Sequence, residues 1–541
     1  CSFFETPNIN NLGSFGRRLL FLVIFFSFIL MHVQTSMAQM VEVSFTNKIQ
    51  QSTLIVEAKV IQKQAFWNDA NTRIYTANEL EIYKVLKGQL PSGTYKLITL
   101  GGVVGNDKLE VYPSMKLSVG DVGMFLLESS SVNLSAVNGL KLSPIAGKQG
   151  FYKYDEISGR AISPFQTFNT VTQLFSAVQS QTNQVFTQNI PYTFEVLQLP
   201  ESGGLVPVIT NISPNTLNAG VGDTLTITGT GFGTLNPSTS KVQFLDAAYG
   251  SFVQYVDVSV FISWNDPEIK LIVPHKSDNG ETIGGGDVIG VVNGSGQSAT
   301  STQVLTINYN HINADFFEEI QHINDDGLGG YTFVFNDAFE TTVAGSEDAF
   351  DRALETWRCG TRINWRTFST TTTNTFANDG ENLVAYASVG TPTYSTSFST
   401  CYLYYSNTSC PGTNWYLTEM DIIFNSAYSS FFHTDTTMSP AGKQDLESEA
   451  LHSLGYAHLL GNVRDPNDPM YSTLTFGNTL RSLTQNNIEG GIYVKDKSVN
   501  TPICSQPAML MSSECFQPVS CLVALSNSPS IICNGDTTNI I

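Results

Sequence analysis

Basic residues are scarce in this chain of 541 residues: 27 Lys and Arg stand against 47 Asp and Glu, giving a formal net charge of −20. That balance excludes a nucleic-acid partner, whose phosphates demand a basic surface. Charge of either sign is thin, at 14% of residues. Cysteine is missing between Cys1 and Cys359, so most of the chain must fold on core packing without internal disulfides. Long apolar runs are missing too, with one exception, Leu19 to Met31. That run is shorter than the roughly 20 residues a membrane span needs. It follows Arg17-Arg18 and precedes Ser36-Met37-Ala38, the order of a secretion signal over residues 1–38. A secreted or cell-surface protein without a transmembrane anchor is therefore expected. A chain that opens on Cys1 rather than Met reads as truncated or mis-started.

What is present is β-rich and globular. Apolar residues make up 41%, with 43 Gly, 34 Phe and 21 Tyr among many Ser and Thr, an extracellular style of composition. The length implies three to four domains. Cys359, Cys401 and Cys410 precede four cysteines in the tail, Cys504, Cys515, Cys521 and Cys533. In an oxidising compartment such residues are more often disulfides than metal ligands. Cys401 and Cys410 are spaced to close a short loop, but the connectivity stays open.

Residues 41–195 read as an all-β N-terminal module, a barrel or a sandwich. Thr53 to Ile61, Glu79 to Leu86, Tyr95 to Leu100 and Met124 to Leu127 are strand-like, with Pro91-Ser92-Gly93 and Gly101-Gly102 as punctuation. The pattern is loosely similar to OB- or netrin-like modules. Phe175 to Gln188 reads as a helix end and linker.

Residues 205–308 are clearer. Pro207 to Pro214 precede Gly220 to Gly233, in which Leu225 and Ile227 alternate inward and Gly229, Gly231 and Gly233 supply the backbone freedom of a tight turn. Val242, Phe244, Ile262, Trp264, Ile269, Leu271 and Val273, then Val288 to Val292, recur at sandwich spacing. The segment resembles the IPT/TIG fold, an immunoglobulin-like β-sandwich used for spacing or protein contact. No helix follows Gly231-Phe232-Gly233, so a phosphate cradle is not implied. In the 501–541 tail, Pro529 to Asp536 resembles the start of another immunoglobulin-like repeat, which Ile541 cuts in mid-domain.

The most chemically informative stretch is Glu447 to Asn462, which contains His452-Ser453-Leu454-Gly455-Tyr456 and ends at Asn462. A zinc protease helix carries H-E-x-x-H, two His one turn apart on one metal and a Glu as general base; metzincins add a third His six residues on. This segment resembles that helix with its reactive groups replaced: His452 remains, Ser453 stands at the base position, and Tyr456 and Asn462 stand at the other ligand positions. Met470, in Arg464 to Tyr471, resembles the Met-turn. Leu483 to Gly490 resembles the opening of the last matrixin helix. Asp421-Ile422-Ile423-Phe424-Asn425 matches the edge strand that lines the substrate cleft of matrixin-like enzymes. Tyr331 to Phe335 reads as a strand and Ala349 to Trp357 as an amphipathic helix, so the elements of an α+β zincin domain over 325–500 occur in matrixin order. Where most matrixins place Gly after the second ligand, this chain has Leu459. His458 lies about 240° around the helix from His452 and reads as a surface or partly buried residue. His433 falls in a loop before the helix.

The resemblance implies zinc, but the residues predict that it is not bound. A catalytic zinc needs three protein ligands and an open position; an amide oxygen is a poor ligand, and a tyrosine binds well only as phenolate. Ser453 cannot replace a Glu base, a loss of about 100- to 10,000-fold in rate by itself. The reading is a pseudoprotease that binds an extracellular protein or peptide, with strand addition along Asp421–Asn425 as its means. The alternatives are a metalloendopeptidase that uses His452, Tyr456 and an acidic residue from elsewhere, and a structural adhesin. The resemblance also admits structural calcium. Asp325, Asp326, Asp465, Asn467 and Asp468 are loop oxygen donors, but none has EF-hand spacing, and turn chemistry is the ordinary reading.

Overall fold

The computed structural model describes residues 40–513 apart from short breaks, together with the backbone of 521–524 and 530–533. The expected secretion signal lies outside the described residues, as does most of the last repeat; 521–524 and 530–533 pair as two antiparallel strands.

Near the N-terminus, long apolar strands close a ring. They are β1 (Leu54–Trp67), β2 (Ile74–Lys87), β3 (Tyr95–Leu100), β6 (Val122–Ser129) and β7 (Leu140–Pro144). β1 pairs with β2 and with β6, β2 with β3, β3 in parallel with β7, and β7 with β6. The interior is filled by residues such as Val56, Val60, Leu97, Phe125 and Leu127. The helix expected from Phe175 runs instead over Val171–Thr182, because the Thr170 side chain accepts from Gln173 N and Asn183 turns left-handed at its end.

One part of the 41–195 segment leaves this barrel. The hairpin of β4 (Gly102–Val104) and β5 (Asp107–Tyr112) joins the third region of the chain, so that stretch does not stand alone as a module.

The second region is a sandwich. Val208–Ser213, Thr224–Thr230, Glu268–Ile272 and Phe261–Asn265 form one sheet; Thr216–Ala219, Ser298–Asn310, Asp287–Val292, Lys241–Asp246 and Phe252–Tyr255 form the other. Leu225, Ile227, Val242, Phe244, Trp264 and Leu271 meet between them. Of the three glycines expected to take positive φ, Gly231 and Gly233 do so. Gly229 does not: it is needed because a Cβ there would overlap Val208 O.

The third region is built on β8 (Tyr331–Asn336), β9 (Trp365–Thr371), β10 (Asn382–Ala387), β11 (Ser399–Ser406) and β12 (Trp415–Asn425). The sheet order is β9-β8-β10-β12-β11-β5-β4. β8, β9, β10 and β12 are parallel; β11 and β5 are antiparallel additions. Helices α1 (Ser346–Thr361), α2 (Leu446–Ala457) and α3 (Gln485–Asn500) accompany the sheet. Phe350, Ala353, Leu354 and Trp357 bury the inward stripe of α1, and the Trp357 indole donates to Leu451 O of α2 at 2.9 Å.

Two boundaries and one pairing differ from expectation. Ile503, Cys504 and Met509 pack into this third core, as do Tyr309 and Ile312 before it. Cys410 is bonded to Cys504, while Cys401 is buried and free; Cys401 lies within β11, its backbone held between β12 and β5, and cannot close the short loop. The Cys410–Cys504 bridge spans 94 residues, a long loop whose closure restricts the unfolded chain by about 4.7 kcal/mol. The paired substitution Cys410→Ser and Cys504→Ser should lower unfolding stability by about 2–5 kcal/mol in urea titration. An unchanged midpoint would show that the bridge constrains nothing.

Candidate functional site

Helix α2 is placed by its own N-terminus. Asp445 Oδ2 accepts from Ser448 N at 3.0 Å and from the Ser448 hydroxyl at 2.6 Å, and Arg481 Nε reaches the same carboxylate at 2.9 Å. Arg352 of α1 pairs with Glu447 at 2.6 Å. These charge-assisted contacts fix the rotation of a helix every residue of which is buried.

His452 is 3% exposed. Its Nδ1 donates to Pro469 O at 2.5 Å, which leaves Nε2 with its lone pair, buried and without a partner. Burial pushes the imidazole down to about 4, partly offset by that bond. One turn on, the Tyr456 ring meets His452 edge-on at 4.9 Å. Just past the end of the helix, Leu459 takes a positive φ of 62°, so the chain doubles back. Asn462 thereby reaches the Tyr456 hydroxyl, which donates to its Oδ1 at 2.7 Å. Beneath, Met470 packs so tightly on Gly455 that a Cβ there would overlap its sulfur. The Met470 turn is held by Asp468, which accepts from Met470 N, Asn487 Nδ2 and the Thr484 hydroxyl.

The structure thus brings together His452, Tyr456 and Asn462 over Met470. As zinc ligands they do not fit: one imidazole stands beside a phenol that is donating its proton to a neutral amide. Among the described residues, no three His, Cys, Asp or Glu groups converge as metal ligands. Ser453 faces elsewhere. Its hydroxyl lies 2.9 Å from that of Ser399, which donates to Glu449 Oε1 at 2.6 Å; Gln444 Nε2 donates to the other oxygen at 3.0 Å. All four residues are buried, so this chain of hydroxyls serves a carboxylate rather than a substrate.

Glu449 is itself a titration element. Burial raises it to about 7 against the opposing bonds from Ser399 and Gln444. A carboxyl raised above its unfolded value stabilises the fold fully below about pH 4.5 and loses that contribution as pH rises through 7. Glu449→Gln should therefore flatten stability between pH 5 and 8, gaining about 3 kcal/mol relative to the parent at the upper end. The unpartnered Gln444 Oε1 can accept from the new amide after a flip. Parallel urea midpoints at both pH values test this; an equal slope in parent and variant would refute the assignment. His452, lowered rather than raised, acts in the opposite sense, its contribution draining as pH falls from about 6.5 to about 4.

Other sequence candidates lie apart from this trio. Asp421–Asn425, expected on a cleft edge, sits in an interior strand: β12 pairs with β10 on one side and β11 on the other. Asp421 and Glu419 are buried carboxyls, both raised chiefly by burial: Glu419 to about 8, with the nearby Asp379 and Asp325 carboxylates adding to it, and Asp421 further by Glu419. They accept backbone N–H groups of the 377–383 loop and so anchor it. His458 is fully buried, not at a surface. It bonds the Thr361 hydroxyl at 3.0 Å and packs against Trp357 and Trp365. His433 spends its ring on Thr437 O at 3.2 Å. Asp326, Asp465 and Asp468 each cap their own turns.

The residues that sequence reasoning missed are those that cover the site. β5 lies antiparallel on the outer edge of β11, with Tyr112 opposite Cys401, and the Tyr112 ring stacks on Tyr456 at 4.5 Å. The sandwich closes a second side: Gly461 N donates to Asn310 O and the Ser472 hydroxyl to Ala248 O. What remains beside Tyr112, Tyr456 and Asn462 is a cavity of about 40 Å³, room for water rather than for a peptide side chain.

Among known proteins, residues 207–309 match the family model described as the IPT/TIG domain. No curated protein matches the chain. No helix among the described residues is long and apolar enough to cross a membrane. The chain therefore contains an immunoglobulin-like TIG domain, a kind of module that mediates protein interactions.

Proposed function

We propose that this is a secreted or cell-surface binding protein whose third region descends from a matrixin-like protease and no longer hydrolyses peptides. The observation that carries the reading is the convergence of His452, Tyr456 and Asn462 over Met470, the geometry of three ligand positions with one imidazole left. The order β8, α1, further strands, α2, the Met470 turn and α3 supports the ancestry, as does the left-handed Leu459 where the family places Gly.

The self-covered cleft supports loss of catalysis. A substrate on the outer edge of β11 would have to displace β5, and the base and ligand positions offer no means to activate water. Strand addition at Asp421–Asn425 is not retained in this proposal, since both edges of that strand are paired. Contact with an extracellular protein partner is assigned instead to the TIG sandwich, in keeping with an adhesion-type role. Incubating the full chain with an unfolded protein substrate, with added zinc and with chelator, should give no cleavage in either condition. Cleavage that the chelator stops would overturn the proposal.

A further inference from the structure

A second, much larger cavity of about 590 Å³ lies where the barrel, the β4–β5 hairpin, the sandwich and the segment around Ala314 meet. Its volume is in the range of small-molecule sites. Four lysines line it, Lys63, Lys108, Lys116 and Lys276, in a chain whose net charge is −20. They are crowded together. Lys108 Nζ and Lys276 Nζ donate to the same oxygen, Ala314 O, at 2.6 and 3.1 Å. Lys108 and Lys116 share the single carboxylate of Glu110. Lys63 spends its ammonium on Leu117 O and, among the described residues, forms no ion pair.

Two further acidic groups stand in the same wall, and one of them pairs with a lysine of the cluster. Asp315 is largely exposed, 3.3 Å from Lys276, and Glu318 accepts from the Trp415 indole at 2.9 Å. Burial first, and a neighbouring ammonium second, lowers both Lys276, to about 8, and Lys63, against the opposing pull of Glu110 on both, of Asp315 on Lys276 and of Asp121 on Lys63. The wall also offers neutral hydrogen-bonding groups. Thr76 and Thr99 line it beside Asn78, whose Oδ1 is buried and has no partner.

We propose that this cavity binds a small organic oxyanion of about monosaccharide size, its acidic group held by the lysines and its hydroxyls by the side of the wall that carries Thr76 and Thr99. The inference is independent of the protease ancestry. Crowded ammonium groups favour an oxyanion, and the space exceeds what a lone phosphate or sulfate fills.

The test is calorimetry on the full chain with glucuronate and glucose 6-phosphate, against inorganic phosphate, neutral glucose, and sodium chloride at matched ionic strength. The expected result is saturable one-to-one binding of at least one sugar acid, tighter than inorganic phosphate, with none for glucose. Lys63→Gln and Lys276→Gln, each checked for an unchanged far-ultraviolet spectrum, should weaken it about tenfold or more. Absence of saturable binding by any of the acids would overturn the proposal, as would affinity unchanged in both variants. Equal affinity for phosphate and the sugar acids would overturn the monosaccharide-sized ligand.

Discussion

Introducing Ser453→Glu, Tyr456→His and Asn462→His together should turn the full chain into a stoichiometric zinc binder. The positions already converge. Tyr456 and Asn462 are joined through their side chains at 2.7 Å, and the Tyr456 ring lies 4.9 Å from His452. Pro469 O fixes the His452 tautomer that presents Nε2 as a ligand, the outer-shell support that metal-bound imidazoles need. Three imidazoles in that arrangement are a standard zinc donor set, so affinity should rise by several orders of magnitude over the parent. Burying a Glu at Ser453, beside Ser399 and Glu449, is the step most harmful to folding. The pair Tyr456→His and Asn462→His, without it, is therefore the companion variant. Competition with a chromophoric chelator reads the outcome. A triple variant with a native spectrum that takes up no zinc would overturn the proposed protease ancestry of the third region. Zinc uptake should come without peptidase activity while β5 and Tyr112 still cover the site.

Tyr112→Ala should uncover it. The ring stacks on Tyr456 and is packed against the third core, so truncation leaves a void and forfeits an aromatic pair, a cost of about 2–4 kcal/mol. The loss falls at the point where the hairpin joins β11, so it should act locally before it acts globally. Amide hydrogens of 107–112 and 399–406 are expected to exchange at least about tenfold faster than in the parent, while those of the TIG sandwich keep their rates. Uniform acceleration across the chain would mean that Tyr112 supports the whole fold rather than the cover. No acceleration would mean that backbone pairing alone holds the hairpin down.

The TIG sandwich was legible because its signals are local. Leu225 and Ile227 alternate within one strand, and Gly231 and Gly233 sit in one turn. The inward face of α1 could be read from spacing alone, and so could the mutual approach of His452 and Tyr456, one helical turn apart. What could not be read is long-range. Asp421 to Asn425 is apolar enough to say that the strand is buried, but nothing in it says that its neighbours are β10 and β11. The angle from His452 placed His458 on another face, yet only the fold shows Trp357 and Trp365 waiting there. Glu449 offered a signal that went unused: it precedes Ser453 by four residues on α2, and the two share the Ser399 hydroxyl. Tyr112 offered none, since a strand in the N-terminal segment carries no mark of the sheet edge it will fill.

The most direct measurement is the zinc stoichiometry of the unmodified full chain, dialysed against excess zinc and analysed for bound metal beside a His452→Ala control. One imidazole, a phenol and an amide should retain no stoichiometric zinc, and the two proteins should be indistinguishable. One equivalent held by the parent and lost in His452→Ala would contradict the account at its centre.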